Sequence, residues 1–174
     1  DTTAATLTVL PSSQTPPDLL AYIQRVEADL DWGPPTDVVW SPPDTRVLVW
    51  LEGDLVAHAG IEQRAITVGG ANLAVVGLSS VWSLPEHRGQ GFARLAVLQA
   101  MEVAAQQAPG APLLLLARDH VAAFYEAVGW RRVAGPLVFD QPGGPYTWPA
   151  VTMVHTADGA PWPGGGIDLR GLPW

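Results

Sequence analysis

The spacing of hydrophobic residues along the chain predicts most of its secondary structure. Over 19–30, apolar residues recur every three or four positions, which predicts an amphipathic helix that begins near the prolines at 16 and 17. The segment 32–43 contains GPP and SPP and predicts a loop, because proline cannot continue a helix. Runs of Val, Leu, Ile and Trp between turn residues then predict antiparallel strands at 46–52, 55–68 and 73–84.

After Pro85 the apolar spacing lengthens to that of a helix, which is expected over 92–107. The wholly apolar run 113–117 predicts a short strand that is buried on both faces. A second helix is expected at 120–128, with Asp119 as its cap. The last two predicted strands lie at 130–139 and 150–155.

This order of elements predicts an α/β (mixed α+β) fold, in which a mixed, mostly antiparallel central sheet carries helices on both faces. The sequence shows no internal repeat and no linker long enough to separate domains. We therefore expect a single domain over 1–174. The segment 140–174 is rich in Gly, Pro and Trp and is expected to form a C-terminal extension.

Composition narrows the class of protein. Apolar residues make up 48% of the chain and charged residues 15%, which is enough apolar material for a core. No run approaches the roughly 18 apolar residues of a membrane span, and the N-terminus lacks the pattern of a secretory signal, so a cytoplasmic protein is expected. The absence of cysteine excludes disulfides, zinc–thiolate sites and cysteine nucleophiles. The scattered histidines predict no metal site.

The charge balance narrows the class of partner. The net charge is -8, from 17 acidic and 9 basic residues, and all of the basic residues are arginine. An acidic surface repels nucleic acid and anionic membranes, so neither is expected as a partner. A cationic small molecule is weakly favoured, although acidic charge for solubility explains the same balance.

The segment RGQGFA at 88–93 is the strongest chemical signal in the chain. It lies between a predicted strand and a predicted helix, where glycines allow close approach of a ligand and backbone N–H groups meet the positive end of the helix dipole. This combination predicts a phosphate cradle. It is neither a P-loop, which needs Gly-Lys-Ser/Thr, nor a GxGxxG turn, because Arg94 stands where the last glycine would be.

The same segment resembles the acyl-CoA signature of the GCN5-related N-acetyltransferase (GNAT) superfamily, Arg/Gln-x-x-Gly-x-Gly/Ala. Arg88, Gly91 and Ala93 fill this signature. The run VWSLP at 81–85 and the run AAFYEAVGW at 122–130 resemble the family's preceding strand end and second motif. The resemblance covers about 48–133, and it implies a GNAT-like sheet, acetyl-CoA as acyl donor and direct transfer of acetyl to an amine through a ternary complex.

The resemblance also implies roles for individual residues. The backbone of Val81, Trp82 and Ser83 would pair with the pantetheine arm. The pyrophosphate would lie on the amides of Gly89, Gln90, Gly91, Phe92 and Ala93, with charge added by Arg88 and Arg94. Tyr125 would protonate the leaving thiolate, unless it is a packing residue. Ser79 and Glu62 are candidates for passing the acceptor's proton to water, unless Ser79 lines the strand and Glu62 is a solvated edge carboxylate; His58 is expected in the core.

A narrower resemblance is to the aminoglycoside 2'-N-acetyltransferases, through VAHA at 56–59, Gln63-Arg64 and the terminal Trp174. Ser79 and Leu172 stand where that subfamily has acids. On this basis Asp168 and Trp174 are expected to bind a cationic small-molecule amine. Some of the loop tryptophans, among Trp32, Trp40, Trp148 and Trp162, are expected to line an amphipathic substrate pocket. The alternatives are a protein or peptide amine as acceptor, or a non-catalytic acyl-CoA-binding module; the resemblance also admits a homodimer.

Overall fold

The computed structural model of the protein describes residues 4–174, which form one sheet of ten strands with helices on both faces. The strand order is β6-β9-β5-β4-β3-β10-β7-β8, and β2 pairs with β3 and with β1. The strands are β1 (Thr6–Pro11), β2 (Thr45–Leu51), β3 (Asp54–Val68), β4 (Ala71–Ser83), β5 (Leu113–Ala117), β6 (Arg131–Arg132), β7 (Leu137–Gln141), β8 (Gly144–Thr147), β9 (Val151–His155) and β10 (Ile167–Asp168). The helices are α1 (Pro17–Asp29), α2 (Phe92–Gln107) and α3 (Ala122–Glu126).

The alternation of side chains along the central strands divides the apolar core between the two faces of the sheet. Val47 and Val49 of β2 face the layer that contains α2 and α3. Leu48, between them, faces α1 and packs near Ile23. Because successive strand residues point to opposite faces, one strand serves both layers. The predicted mixed, mostly antiparallel sheet with helices on both faces is confirmed.

The C-terminal segment covers the same face of the sheet as α1. Its core contains Phe139, Trp148, Leu169 and Trp174, packed with Val75 of β4. None of the helices described for residues 4–174 is long and apolar enough to cross a membrane.

Local periodicity located the long elements well and the short ones less well. The predictions of a helix at 92–107 and a strand at 113–117 match α2 and β5. The predicted helix at 120–128 is wrong in length: a single 3₁₀ turn at Asp119–Val121 precedes the five-residue α3. The cap position of this turn is Arg118 rather than the predicted Asp119, and no side chain among residues 4–174 makes a cap hydrogen bond there.

The predicted strand at 130–139 is also wrong as a single element. It breaks after β6, because Gly135 has φ 103° and Pro136 follows it, and pairing resumes only at β7. The strands β1, β8 and β10 were not predicted. The last of these has two residues and is fixed by its neighbours β3 and β7 rather than by its own sequence.

The sheet opens between two parallel strands, and this opening positions the site. β4 and β5 pair at Val76 with Leu113 and at Gly77 with Leu114. Beyond these two pairs β4 continues to Ser83 without pairing to a described residue of β5, whereas β5 stays paired with β9 along its whole length. A wedge-shaped cleft therefore separates the second half of β4 from β5.

Candidate active site

The free edge of β4 forms one wall of the cleft. Val81, Trp82 and Ser83 lie on this edge. Their backbone is the part of the chain that the resemblance assigned to a pantetheine arm. Trp82 is anchored by its side chain, which is buried against α1 and donates its indole N–H to Glu27 Oε1 at 3.2 Å. The side chain thus secures the strand while the backbone stays at the cleft.

A bulge in β4 sets the geometry of that edge. The pairing of β3 with β4 shifts register between His58 and Gly60, which lie opposite Trp82 and Ser79. Ser80, inside the shift, has φ 50°, a left-handed backbone conformation that is rare for a residue with a side chain. The extra residue turns the backbone of β4 away from its regular ladder at the point where the cleft begins.

His58 supports the bulge from the next strand. It is fully buried, as expected for a core histidine, and its Nδ1 lies 2.7 Å from the carbonyl oxygen of Ser80. Its Nε2 lies 3.1 Å from Arg46 Nη1, and its ring stacks on Trp82. Burial lowers the pKa of His58 to about 4, so the ring is neutral at pH 7. A neutral ring between an arginine donor and a carbonyl acceptor carries its proton on Nδ1.

The predicted phosphate cradle is open. Gly89 and Gly91 have φ values of 74° and 85°, which glycine adopts without strain, and a Cβ added at either position would meet no atom of the described chain within 4 Å. The 16-residue α2 begins at Phe92, and no side chain among residues 4–174 caps its first turn. Arg88 and Arg94 are exposed beside it. Free amides, open space and two guanidinium groups fit a diphosphate.

Tyr125 lies on α3, in the same layer as α2. It is buried, and its ring makes edge contacts with Phe124 and Trp130. Burial raises the pKa of the Tyr125 phenol, so the hydroxyl keeps its proton across the physiological range. That hydroxyl has no hydrogen-bond partner within the part of the chain that the structure describes, and so it remains available as a proton donor.

Glu62 and Ser79 lie on the opposite face of the sheet, which faces away from α2. Glu62 on β3 pairs with Gly77, and Ser79 pairs with Gly60, so the two side chains are diagonal neighbours. Glu62 is buried, in contrast to the alternative of a solvated edge carboxylate. Its Oε1 accepts hydrogen bonds from Ser41 Oγ at 3.0 Å and from Arg64 Nη2 at 2.7 Å. Its Oε2 and the Ser79 hydroxyl are buried without a partner among the described residues.

Arg64 ties the C-terminal segment to this carboxylate, a role that the sequence analysis did not find. Its Nη1 donates to the carbonyl oxygens of Leu169 and Leu172, and its guanidinium lies 4.9 Å from the centre of the Trp174 ring. Trp174 is buried on Gly77 and donates its indole N–H to the carbonyl of Leu114 at 3.0 Å. The last residue of the chain therefore lies where β4 and β5 separate.

The structure does not bring Asp168 to this group. Asp168 pairs with Thr67, which is five residues beyond Glu62 on β3, a distance of about 16 Å along a strand. Its carboxylate accepts the backbone N–H of Arg170 at 2.8 Å. Of the two residues predicted to bind the acceptor, only Trp174 lies near Glu62, and its indole is used in packing.

The predicted pocket tryptophans occupy different places. Trp40 and Trp148 form an edge-to-face pair with ring centres 5.8 Å apart, on the face that carries Glu62. Trp32 donates its indole N–H to the carbonyl of Glu27 at the end of α1. Trp162 lines a separate, open cleft of about 810 Å³ between 131–135 and 159–165. Among residues 4–174, no group of three or more His, Asp and Glu side chains is placed to hold a metal ion.

An open strand edge in a parted sheet, next to a glycine cradle at the start of a helix, is the arrangement that the GNAT resemblance implies. Residues 36–133 match the family model of the acetyltransferase (GNAT) domain, and the chain belongs to this family. It is an acyltransferase enzyme. The match begins 12 residues earlier than the predicted 48–133 and includes part of the loop before β2. No curated protein matches the chain.

Solved structures of acetyltransferases share the fold. The GNAT family N-acetyltransferase YhbS from Escherichia coli, in complex with CoA, is 17% identical, with a TM-score of 0.61 over 98% of this chain and 92% of that one. A GNAT family acetyltransferase from Brucella melitensis, in complex with acetyl-CoA, is 15% identical, with a TM-score of 0.58 over 93% and 94%. ElaA from Escherichia coli is 19% identical, with a TM-score of 0.60 over 87% and 99%. None of these comparisons supports the narrower resemblance to aminoglycoside 2'-N-acetyltransferases.

Proposed function

We propose that the protein transfers an acetyl group from acetyl-CoA directly to the amine of a small molecule. The observation that carries this proposal is the cleft itself: the free edge of β4 beyond Gly77 leads to the open cradle at Gly89 and Gly91. A strand edge supplies backbone hydrogen bonds for a pantetheine arm, and the cradle supplies amides for its pyrophosphate. Cytoplasmic location and homodimer formation stay predictions.

The donor-binding residues are those that the resemblance implied. The amides at 89–93 and the guanidinium groups of Arg88 and Arg94 would hold the pyrophosphate. The backbone at 81–83 would hold the pantetheine arm, with the bulge at Ser80 aiming backbone N–H groups at the thioester carbonyl. Such donors stabilise the negative charge that develops on the carbonyl oxygen during acyl transfer.

Two sets of side chains would move the protons. When the amine attacks, a nitrogen–carbon bond forms and the carbon–sulfur bond breaks, so the nitrogen loses a proton and the sulfur gains one. Tyr125 would protonate the sulfur, since its hydroxyl is protonated and free of protein partners. Glu62 would accept the amine's proton through water, with Ser79 as a hydrogen-bonding partner of that water. Its unpartnered Oε2 supports this role.

The loop after α1 and the C-terminal segment cover the face of the sheet that carries Glu62. This cover favours a small molecule over a peptide as the acceptor. Ser41 in the loop after α1 donates its backbone N–H to the carbonyl of Pro173 in the C-terminal segment at 2.6 Å. Pro43, in the same loop, packs on Gly60. The two segments meet above Glu62, and a covered carboxylate is easier to reach for a compact amine than for an extended chain. An aminoglycoside acceptor is not favoured, because Asp168 lies far from Glu62.

Release of free CoA thiol, measured with a panel of small amines and of peptides with free amines, tests the function. We expect turnover with at least one class of small amine and none with the peptides. Turnover with peptides only would show that the acceptor is a peptide or protein amine and not a small molecule. Tight binding of acetyl-CoA without turnover on any amine would instead indicate a non-catalytic module.

A further inference from the structure

Arg118 occupies an unusual position at the end of β5. Its guanidinium lies 5.6 Å from the ring centre of Trp40 and 5.3 Å from that of Trp148, so it contacts both members of this edge-to-face pair. Its Nη2 lies within 3.4 Å of the carbonyl oxygens of Gly33 and Pro35 in the loop after α1. These contacts hold a half-buried guanidinium in one place.

This guanidinium has no carboxylate partner in the part of the chain that the structure describes. The ion pairs found there are Glu62 with Arg64 and Glu126 with Arg132. The Nε of Arg118 is buried without an acceptor, and its Nη1 makes no hydrogen bond within residues 4–174. Two carbonyl oxygens and two indole rings stabilise the half-buried charge without neutralising it. The free Nη1 therefore leaves a fixed positive charge with an unused donor, which suits an anion from outside the described chain.

The position of Arg118 identifies the acceptor, and not the donor phosphates, as the source of that anion. The backbone of Arg118 is extended and continues β5, so its side chain leaves on the same face as Leu116. The cradle at the start of α2 belongs to the opposite layer. Trp40 touches Arg118, and the next residue, Ser41, bonds to Glu62, so one short loop segment contacts both side chains.

We propose that Arg118 binds a carboxylate on the acceptor amine, so that the substrate is an amino carboxylate whose apolar or aromatic body lies against the exposed ring of Trp40. The inference rests on the proposed function and names its substrate class. It replaces the expectation of a cationic acceptor that the net charge suggested. Net charge acts over distances that salt screens, whereas a guanidinium in contact with its ligand does not depend on that long-range field.

Amino carboxylates and their carboxamides test the proposal, because each pair differs only in the charge that Arg118 would bind. The series runs from an α-amino acid to ε-aminocaproate and includes aromatic members. In the native enzyme we expect kcat/KM to be about tenfold or more higher for the preferred carboxylate than for its carboxamide. Arg118→Met should lower the value for the carboxylate by about ten- to one-hundredfold and leave the carboxamide within about threefold.

Two further variants separate binding from loop support. Arg118→Lys keeps the charge and should retain part of the preference for the carboxylate. Arg132→Met removes an exposed arginine from a surface ion pair and should leave both substrates unchanged. An equal loss on both substrates in Arg118→Met, or no preference in the native enzyme, would overturn the proposal and leave Arg118 as a support for the loop.

A direct measurement of carboxylate binding tests the role of Arg118 without requiring acetyl transfer. If no amine is acetylated, the proposed function fails, and the same carboxylates are titrated into the CoA-bound protein by calorimetry. Binding by the native protein and loss of binding in Arg118→Met would support the anion site alone. No binding by the native protein of any member of the series would refute it.

Discussion

His58 donates its Nδ1 hydrogen to the carbonyl oxygen of Ser80 across 2.7 Å, and this bond joins the core to the bulge at the edge of the cleft. Ser80 has φ 50°, so its conformation needs support from its surroundings. His58 is in turn held by Arg46 and by its stack on Trp82. The backbone that would face the thioester is therefore fixed by a buried side chain of the neighbouring strand.

The burial of His58 predicts a loss of stability in acid. Its pKa is lowered from 6.5 to about 4 in the fold, so between these values the unfolded chain binds a proton that the folded chain does not. The contribution of the neutral His58 ring to the free energy of unfolding is complete above pH 6.5. This contribution, about 3 kcal/mol, is lost as the pH falls towards 4.

Urea unfolding of the native protein and of His58→Gln, measured across this range, checks the prediction. The variant should be less stable at neutral pH, and its free energy of unfolding should change less with pH between 6.5 and 4. His155, whose pKa is also lowered by burial, is present in both proteins and cancels in the comparison. Equal slopes would show that His58 does not titrate in this range.

Gly91→Glu should abolish binding of acetyl-CoA and leave the protein folded. The site of the Cβ is open, so the side chain fits sterically, but its carboxylate would repel the pyrophosphate. Gly91→Ala is the matched control, because it shares the strain of a left-handed backbone, about 1 kcal/mol, without the charge. Calorimetry that finds native affinity in Gly91→Glu would remove the cradle from the donor site.

Tyr125→Phe should lower kcat by about ten- to one-thousandfold, since it removes the proton donor for the leaving thiolate. The hydroxyl has no partner in the described structure, so the free energy of unfolding should change by less than about 0.5 kcal/mol. The affinity for acetyl-CoA should hardly change. The measurement is a single-turnover rate, and an unchanged rate would show that Tyr125 serves packing alone.

Glu62→Gln should lower kcat by about one-hundredfold, because the amide keeps the volume of the side chain but cannot accept a proton. Ser41→Ala is the control, since it removes one hydrogen bond to Oε1 and leaves the carboxylate in place. Its rate should fall by about tenfold at most, since the carboxylate that accepts the proton remains and Arg64 still binds Oε1. Similar rates in Glu62→Gln and the native enzyme would assign the base elsewhere.

Gly77→Ala should destabilise the protein by about 1–3 kcal/mol, because the added Cβ would enter the space of the Trp174 indole. Trp174→Ala empties that space, so the same change at Gly77 should cost little in this background. A double-mutant cycle by urea unfolding measures the coupling between the two positions. Additive effects would mean that the terminal tryptophan does not pack on β4.

The sequence alone determined the features that depend on neighbours along the chain. The period of the apolar residues located α2 and β5, and the glycines at 89 and 91 located the turn before α2, because a positive φ and the start of a helix are local properties. The order of these elements along the chain was sufficient to predict the mixed sheet.

The tertiary structure decided which distant side chains meet. Glu62 and Ser79 become neighbours through the register of β3 and β4, and Arg118 meets Trp40 only because a loop returns across the sheet. Burial of Glu62 depends on the C-terminal segment, which Arg64 holds more than one hundred residues away in sequence. Register, burial and the presence of a counter-ion depend on contacts between segments far apart in the chain, and a local pattern carries no information about them.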